Sequence, residues 1–244
     1  MRVTANTFPD SLLTQLGSLS QRQNKLQNQA ATGQLLQLPE DDPVAMRRVL
    51  DLQAEGKAIG QYQRNISRHQ ELANDSFSAM KGLKTISDRA RELAIAADGL
   101  KSQDELNIYA KEVTELIKQG VQIANTKNRG DYLFAGTLSN QPPFVMTTDA
   151  DGNVTGVTYQ GNATLAESEV ASGITLTAQT VGENTSGAGP RGMITDSRSG
   201  ADFFNHLISF QNNLIAGDVA AVENVDRANL AACLLYTSPS PRDS

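Results

Sequence analysis

Residues 42–97, DPVAMRRVLDLQAEGKAIGQYQRNISRHQELANDSFSAMKGLKTISDRARELAIAA, decide the fold. Ala45, Leu52, Ile59, Ile66, Ala73 and Met80 form one row at a seven-residue step. Tyr62, His69, Ser76, Leu83, Ala90 and Ala97 form a second row, offset by three. Two such rows make a seam that wants a partner helix. At a rise of about 1.5 Å per residue the helix spans roughly 80 Å, longer than a compact domain is wide. Gly56, Gly60 and Gly82 interrupt it, each costing about 1 kcal/mol against Ala unless a close helix contact uses the missing side chain. The fold class expected is mainly α, a long coiled-coil-like helical rod.

The helix is bounded by clear signals. Asp41-Asp42-Pro43 opens it: an Asp accepts from the first free amides, and Pro suits the first helical position. Asp98-Gly99 closes it. Upstream, Leu12, Leu16, Leu19, Gln23, Leu26 and Ala30 alternate steps of four and three, a coiled-coil stripe with one polar interruption. The reading is a helix from about residue 10 to 31, stopped by Gly33. Downstream, Ser102-Gln103-Asp104-Glu105 is a capping box. It starts a third helix with Leu106, Tyr109, Val113, Leu116, Gly120 and Ile123 on heptad steps, expected to return antiparallel along the second half of the long helix.

Past Gly136 the composition changes. Between residues 142 and 190 Gly, Thr, Asn, Val and Asp dominate. Residues 144–148 and 154–159 flank Asp151-Gly152, a hairpin signal, and residues 174–178 suggest another strand. Asp149, Asp151 and Asn153 resemble the start of a calcium loop, but Val154 stands where Gly is required and Gln160 where the bidentate Glu belongs. The turn reading stands instead. Residues 199–202 can cap a helix bearing Phe203, Leu207, Ile208 and Leu214, and Val219, Val222 and Val225 begin one more. The β-rich stretch is thus an insertion between helices.

The remaining features exclude more than they assign. With 27 acidic and 21 basic residues the net charge is −6, which argues against a nucleic-acid partner. No apolar run approaches the roughly 20 residues of a membrane span, so no membrane partner is expected. The N-terminus lacks the pattern of a secretory signal, which by itself reads as cytoplasmic. The only histidines are His69 and His206, and no phosphate loop, triad or ligand cluster is present. No catalytic, metal or cofactor-binding residue is assigned, no cofactor is expected, and the chain does not read as an enzyme. Residues 233–243, CLLYTSPSPRD, match the translation of a transposase sequencing adapter. The expectation is that the natural sequence departs after Ala232, inside a helix, and that Cys233 is not native.

Several motifs resemble the flagellin superfamily, and within it the hook–filament junction branch. They are Met1-Arg2-Val3-Thr4, Thr32-Gly33, Pro39-Glu40-Asp41-Asp42-Pro43-Val44-Ala45, Gln61-Tyr62 with Arg64-Asn65-Ile66, Arg91-Glu92-Leu93-Ala94, Ala124-Asn125-Thr126, and Gly130-Asp131-Tyr132-Leu133-Phe134-Ala135-Gly136-Thr137. Flagellin proper is similar over the same region, but there Ala-Ala-Gly usually follows Asp-Asp and the tyrosine–phenylalanine segment is not expected. The family residues carried over are Asp41, Asp42, Pro43, Asn65, Tyr132, Phe134 and Gly136.

The resemblance implies a structural protein of the bacterial flagellum, joining hook to filament by helical packing and serving motility. It implies type III export without a cleaved signal, which overrides the cytoplasmic reading and makes the protein secreted. Implied partners are further copies of the chain, hook-associated protein 1, flagellin, a flagellar export chaperone and the type III export apparatus. The assembly interface is expected at Leu12, Leu16, Leu19 and Leu26, buried against a C-terminal helix and neighbouring subunits. A chain ending at Ala232 would lack that helix and should neither assemble nor bind a chaperone that reads it. The domain reading is residues 1–40, an assembly helix; 41–140, a helical hairpin rod; 141–195, an outward-facing β-rich subdomain; 196–232, truncated returning helices; and 233–244, the adapter-derived tail. The alternatives are flagellin itself, separable by its abundance along the filament, and an extracellular adhesin-like rod.

Overall fold

The computed structural model describes residues 7–35 and 42–232. Asp41, the motif residues 1–4 and 39–40, and the string 233–244 lie outside the described residues. The fold is mainly α with a β-rich insertion. The chain divides into two compact units, Met1–Gly60 and Gln61–Ser244, and the division falls within the long helix.

In the first unit, α1 spans Thr7–Thr32. Gly33 takes a positive φ of 68° and its amide donates to the Gln29 carbonyl at 2.8 Å, the left-handed stop expected of Gly. Helix α2, Pro43–Ala96, then begins. The Asp42 carboxylate accepts from the amides of Val44 and Ala45 at 3.1 and 2.9 Å, and Pro43 fills the first helical position.

In the second unit, α2 meets α3, Gln103–Ala124. Arg89 pairs with Glu112 at 2.7 Å, and Arg129, just beyond α3, pairs with Glu71 at 2.6 Å. Numbers rise on one helix as they fall on the other, so α3 returns antiparallel. Gly82 is the close-contact glycine: a Cβ there would stand 3.0 Å from Ile123 Cδ1. The Ser102–Glu105 capping box is formed.

Burial along α2 starts only at Ser76 and continues through Met80, Leu83, Ile86, Ala90 and Leu93. The N-terminal part of the two seam rows is not buried: Leu52, Ile59 and Ile66 are exposed. The reason is length. Twenty-two residues of α3 reach about 33 Å, well short of the ~80 Å of α2.

The insertion consists of small sheets. Strands β1 (Lys127–Asn128) and β2 (Asp131–Tyr132) pair around the turn after α3. The hairpin β3–β4, Phe144–Thr148 with Val154–Tyr159, is antiparallel as its turn sequence predicts. A second hairpin joins β5 (Ser168–Ala171) to β6 (Ile174–Leu176). Strands β7 (Val181–Asn184) and β8 (Gly192–Asp196) are parallel, and β9 (Ala201–Asp202) adds antiparallel to β8. Then α4 (Phe203–Ala216) starts from the Asp202 cap and is followed by α5 (Val219–Ala221), a π-helical turn (Val222–Asp226) and α6 (Arg227–Ala231).

One core joins these layers. Leu83, Val113, Ile117, Phe134, Phe203, Leu207, Phe210 and Leu230 are fully or almost fully buried in it. Phe203 meets Phe204 edge-on at 5.1 Å, and Phe204 meets Phe144 at 5.3 Å. A buried polar chain crosses the same layers: Thr114 donates to the Gln211 carbonyl oxygen at 2.9 Å, and the Gln211 amide donates to the Val154 carbonyl at 3.1 Å. Satisfied at both ends, Gln211 fixes α4 against α3 and β4 at little desolvation cost. Arg227 closes the C-terminal end of α2, donating to the carbonyls of Ala94 at 3.0 Å and of Ile95 and Ala97 at 3.4 Å.

Candidate assembly surface

Every described residue of α1 is exposed except Gln29, which is intermediate. The stripe residues Leu12, Leu16, Leu19 and Leu26 are 49 %, 57 %, 64 % and 57 % exposed. Sequence logic puts leucines four and three apart on one helical face, and their apolar area remains in water. At roughly 25 cal/mol per Å2, such a row is a reservoir of association energy. Leu19, Arg22, Gln23, Leu26, Gln27 and Ala30 border a shallow groove of about 420 Å3 on this helix. Gln23, the polar interruption, thus lies beside two stripe leucines.

Several apolar residues of this unit lie outside the heptad rows, Leu13 and Leu50 among them. These two are 67 % and 56 % exposed. A strict seven-residue template skips them. The wider apolar stripe of an ordinary amphipathic helix, counted at 3.6 residues per turn, is the signal that would have included Leu13.

The family-motif residues fall into separate places. Asp42 and Pro43 build the start of α2, while Asp41 lies outside the described residues. The Asn65 side chain accepts from Gln61 at 2.9 Å and donates to the Glu169 carbonyl of β5 at 2.7 Å. Tyr62 reaches the Glu169 carboxylate at 3.3 Å, and His69 shares a 2.7 Å hydrogen bond with Ser168. Seam positions 62 and 69 therefore face the β5–β6 hairpin rather than a helix.

Tyr132, Phe134 and Gly136 are brought together in one segment. The Lys127 ammonium lies 4.4 Å from the centre of the Tyr132 ring. Phe134 is fully buried, and its carbonyl accepts from the Gly182 amide at 2.9 Å and the Tyr159 hydroxyl at 2.8 Å. Burial pushes the Tyr159 phenol up to about 12. Gly136 has a φ of 64°, and a Cβ there would collide with the Asn162 carbonyl and side-chain oxygens. These three residues hold the β region to the α3 exit.

Two buried aspartates in this unit have opposite electrostatics. Asp196 accepts from Arg198 Nη2 at 2.9 Å and from the Gly192 and Arg198 amides, which holds its carboxyl down to about 2. Asp226 accepts only from neutral donors, Ser209 at 3.1 Å and Asn213 at 2.8 Å, and burial raises its pKa. Asp149 serves its own turn, accepting from the amides of Asp151 and Asn153. Among the described residues no group of three or more His, Cys, Asp or Glu could hold a metal ion. Among them, too, no helix is long and apolar enough to cross a membrane.

The profile of the bacterial flagellin N-terminal helical region matches residues 3–139, more than half of the chain. The chain belongs to the bacterial flagellin family. Its match covers α1, α2, α3 and the Tyr132–Gly136 segment. This flagellin-family chain is 24 % identical over 253 residues to flagellar hook-associated protein 3 of Salmonella typhimurium, covering 100 % of this chain and 75 % of that protein. Its fold is similar to that of a flagellar hook-associated protein from Vibrio parahaemolyticus, with a TM-score of 0.61, 19 % identity, and 80 % and 84 % of the two chains covered. It is also similar to the FlgL structure from Bacillus cereus, with a TM-score of 0.54, 20 % identity, and 77 % and 85 % covered.

Proposed function

We propose that the protein is a structural subunit of the bacterial flagellum, placed where hook meets filament, and that it works by burying the α1 leucine stripe against other helices. The exposed row Leu12, Leu16, Leu19 and Leu26 carries this reading, together with family membership. The described residues leave that row in water, and large apolar interfaces are what permanent assemblies use. The likeness to hook-associated protein 3 favours the junction over the filament body. In this reading the protein leaves the cell by type III export with a chaperone's help. It adds to hook-associated protein 1, receives the first flagellin subunits and packs against its own copies. Its work is positional, and no chemistry is assigned to it.

Labelling of the protein on intact flagella tests this. A signal confined to the base of each filament, at far lower abundance than flagellin, is the expected result. A signal along the whole filament identifies the bulk filament subunit instead. Absence from flagella, with normal swimming after gene deletion, overturns the assembly reading in favour of an unrelated surface rod.

A further inference from the structure

A second apolar surface lies in the Gln61–Ser244 unit. Ala73, Phe77 and Met80 of α2 face Ala178, Thr180 and Met193 across a groove of about 330 Å3. Phe77 is 68 % exposed on its wall, and the buried Thr180 hydroxyl has no hydrogen-bond partner among the described residues. Lys81 and Lys84 also line the groove. Lys84 is held by Asp88 at 2.6 Å, whereas Lys81 has no ion-pair partner among the described residues. The groove therefore fits an apolar projection that brings a carboxylate.

The chain itself carries such a projection. The turn between α2 and α3 presents Leu100, 91 % exposed, with Ile95 and Ile108 at 67 % and 63 % nearby in sequence. Asp98 and Asp104 flank Leu100, and Asp104 has no ion-pair partner among the described residues. This turn cannot fill the groove of its own molecule. The groove is centred near residue 79 of α2, which runs on to Ala96 before the turn begins, a separation of about 25 Å.

We propose that the α2–α3 turn of one copy seats in the Phe77 groove of the next, Leu100 against Phe77 and Met80, with Asp104 beside Lys81. The inference rests on the assembly reading above and names a contact within it. The interface is heterologous: knob and socket are different surfaces, so each bound copy offers a free socket or knob to another. Repetition staggers successive copies by about 25 Å along their helices and generates a ring or helical row, not a closed dimer. It uses none of the α1 leucines, which remain free for inter-helix packing.

Cysteine pairing tests the contact. Phe77→Cys and Leu100→Cys are made separately in the full chain with Cys233→Ser, mixed in equal amounts and oxidised. Both sites are exposed, and unchanged thermal unfolding confirms folding of each variant. Mixed dimers should exceed random pairing about fivefold through raised effective concentration. Lys81→Glu should return the ratio to random, and Lys81→Glu with Asp104→Lys should restore the excess. Random pairing throughout, or an excess indifferent to these charges, overturns the proposal. Random pairing by a protein that still labels flagella refutes this contact alone. Preferential pairing by a protein absent from flagella keeps the contact and removes the flagellar reading.

Discussion

Helices α1 and α3 carry the same kind of pattern and meet different fates. Both place apolar residues at steps of three and four. Helix α3 buries Leu106, Val113, Ile117 and Val121 in the core, whereas the α1 leucines stay in water. A heptad stripe states that a surface is built for another helix; it does not state which chain supplies that helix. For α3 the partner is the second half of α2. For α1 no described segment plays that part, and the proposed partners are a C-terminal helix and neighbouring subunits.

The sharpest way to break this contrast is to truncate one leucine of the core that α3 shares with α2 and one of the α1 stripe. Leu83→Ala removes a fully buried side chain and should cost about 2–5 kcal/mol of unfolding free energy. Leu19→Ala should change the stability of the free chain by less than about 0.5 kcal/mol. Leu19→Asp should abolish assembly and swimming while leaving helical circular dichroism largely unchanged. Urea unfolding and a motility assay read the two halves. A large stability loss from Leu19→Ala would mean that α1 is already packed in the free protein.

Gly136→Ala probes the joint between the helices and the β region. The positive φ and the collision with Asn162 oxygens predict a loss of about 1–3 kcal/mol, measured in the same urea titration. Because the strain lies wholly within the second unit, helical signal from α1 should not respond.

Asp196 sharpens the comparison through pH. Its folded pKa of about 2 lies below the usual carboxylate value near 3.9, so the ion pair stabilises the native state above pH 4 and that contribution fades as pH falls toward 2. Asp226 acts with the opposite sign: burial raises its pKa, so stability declines as pH rises through that raised value. Asp196→Asn should therefore lower the urea midpoint at pH 7 by the equivalent of about 1 kcal/mol, and the difference from wild type should shrink at pH 3. An equal loss at both pH values would mean the charge is immaterial.

The smallest expected effect belongs to Asn65→Ala. Losing its bond to the Glu169 carbonyl should cost about 0.5–1.5 kcal/mol and speed amide exchange in residues 168–176. Exchange in α3 should stay as it was.

Much of this architecture was legible because it rests on local rules. Asp42-Pro43, Gly33 and the Ser102–Glu105 box mark helix ends through backbone groups a few residues away, and Asp151-Gly152 marks the β3–β4 turn. The parallel pair β7–β8 was not legible. Its strands are four and five residues long and contain Gly182 and Gly192, and Asp196 and Arg198 fix the returning loop from a distance. The π-helical turn at Val222–Asp226 has no pattern of its own either. The seam of α2 was legible as a surface but not in its division, because partner length and the β5–β6 hairpin decide which of its rows are covered. Among the motif residues, Gly136 and Phe134 gained a physical reason only once Asn162 and Tyr159 were beside them.

Hydrogen exchange across Leu12–Leu26 tests the central claim most directly. Fast exchange is expected in the free chain, where the described residues leave α1 exposed, and strong protection of the same amides in flagella that carry the protein. Equal protection in both states would mean that α1 has its partner before assembly. Fast exchange in both would mean that the leucine stripe is not the assembly surface.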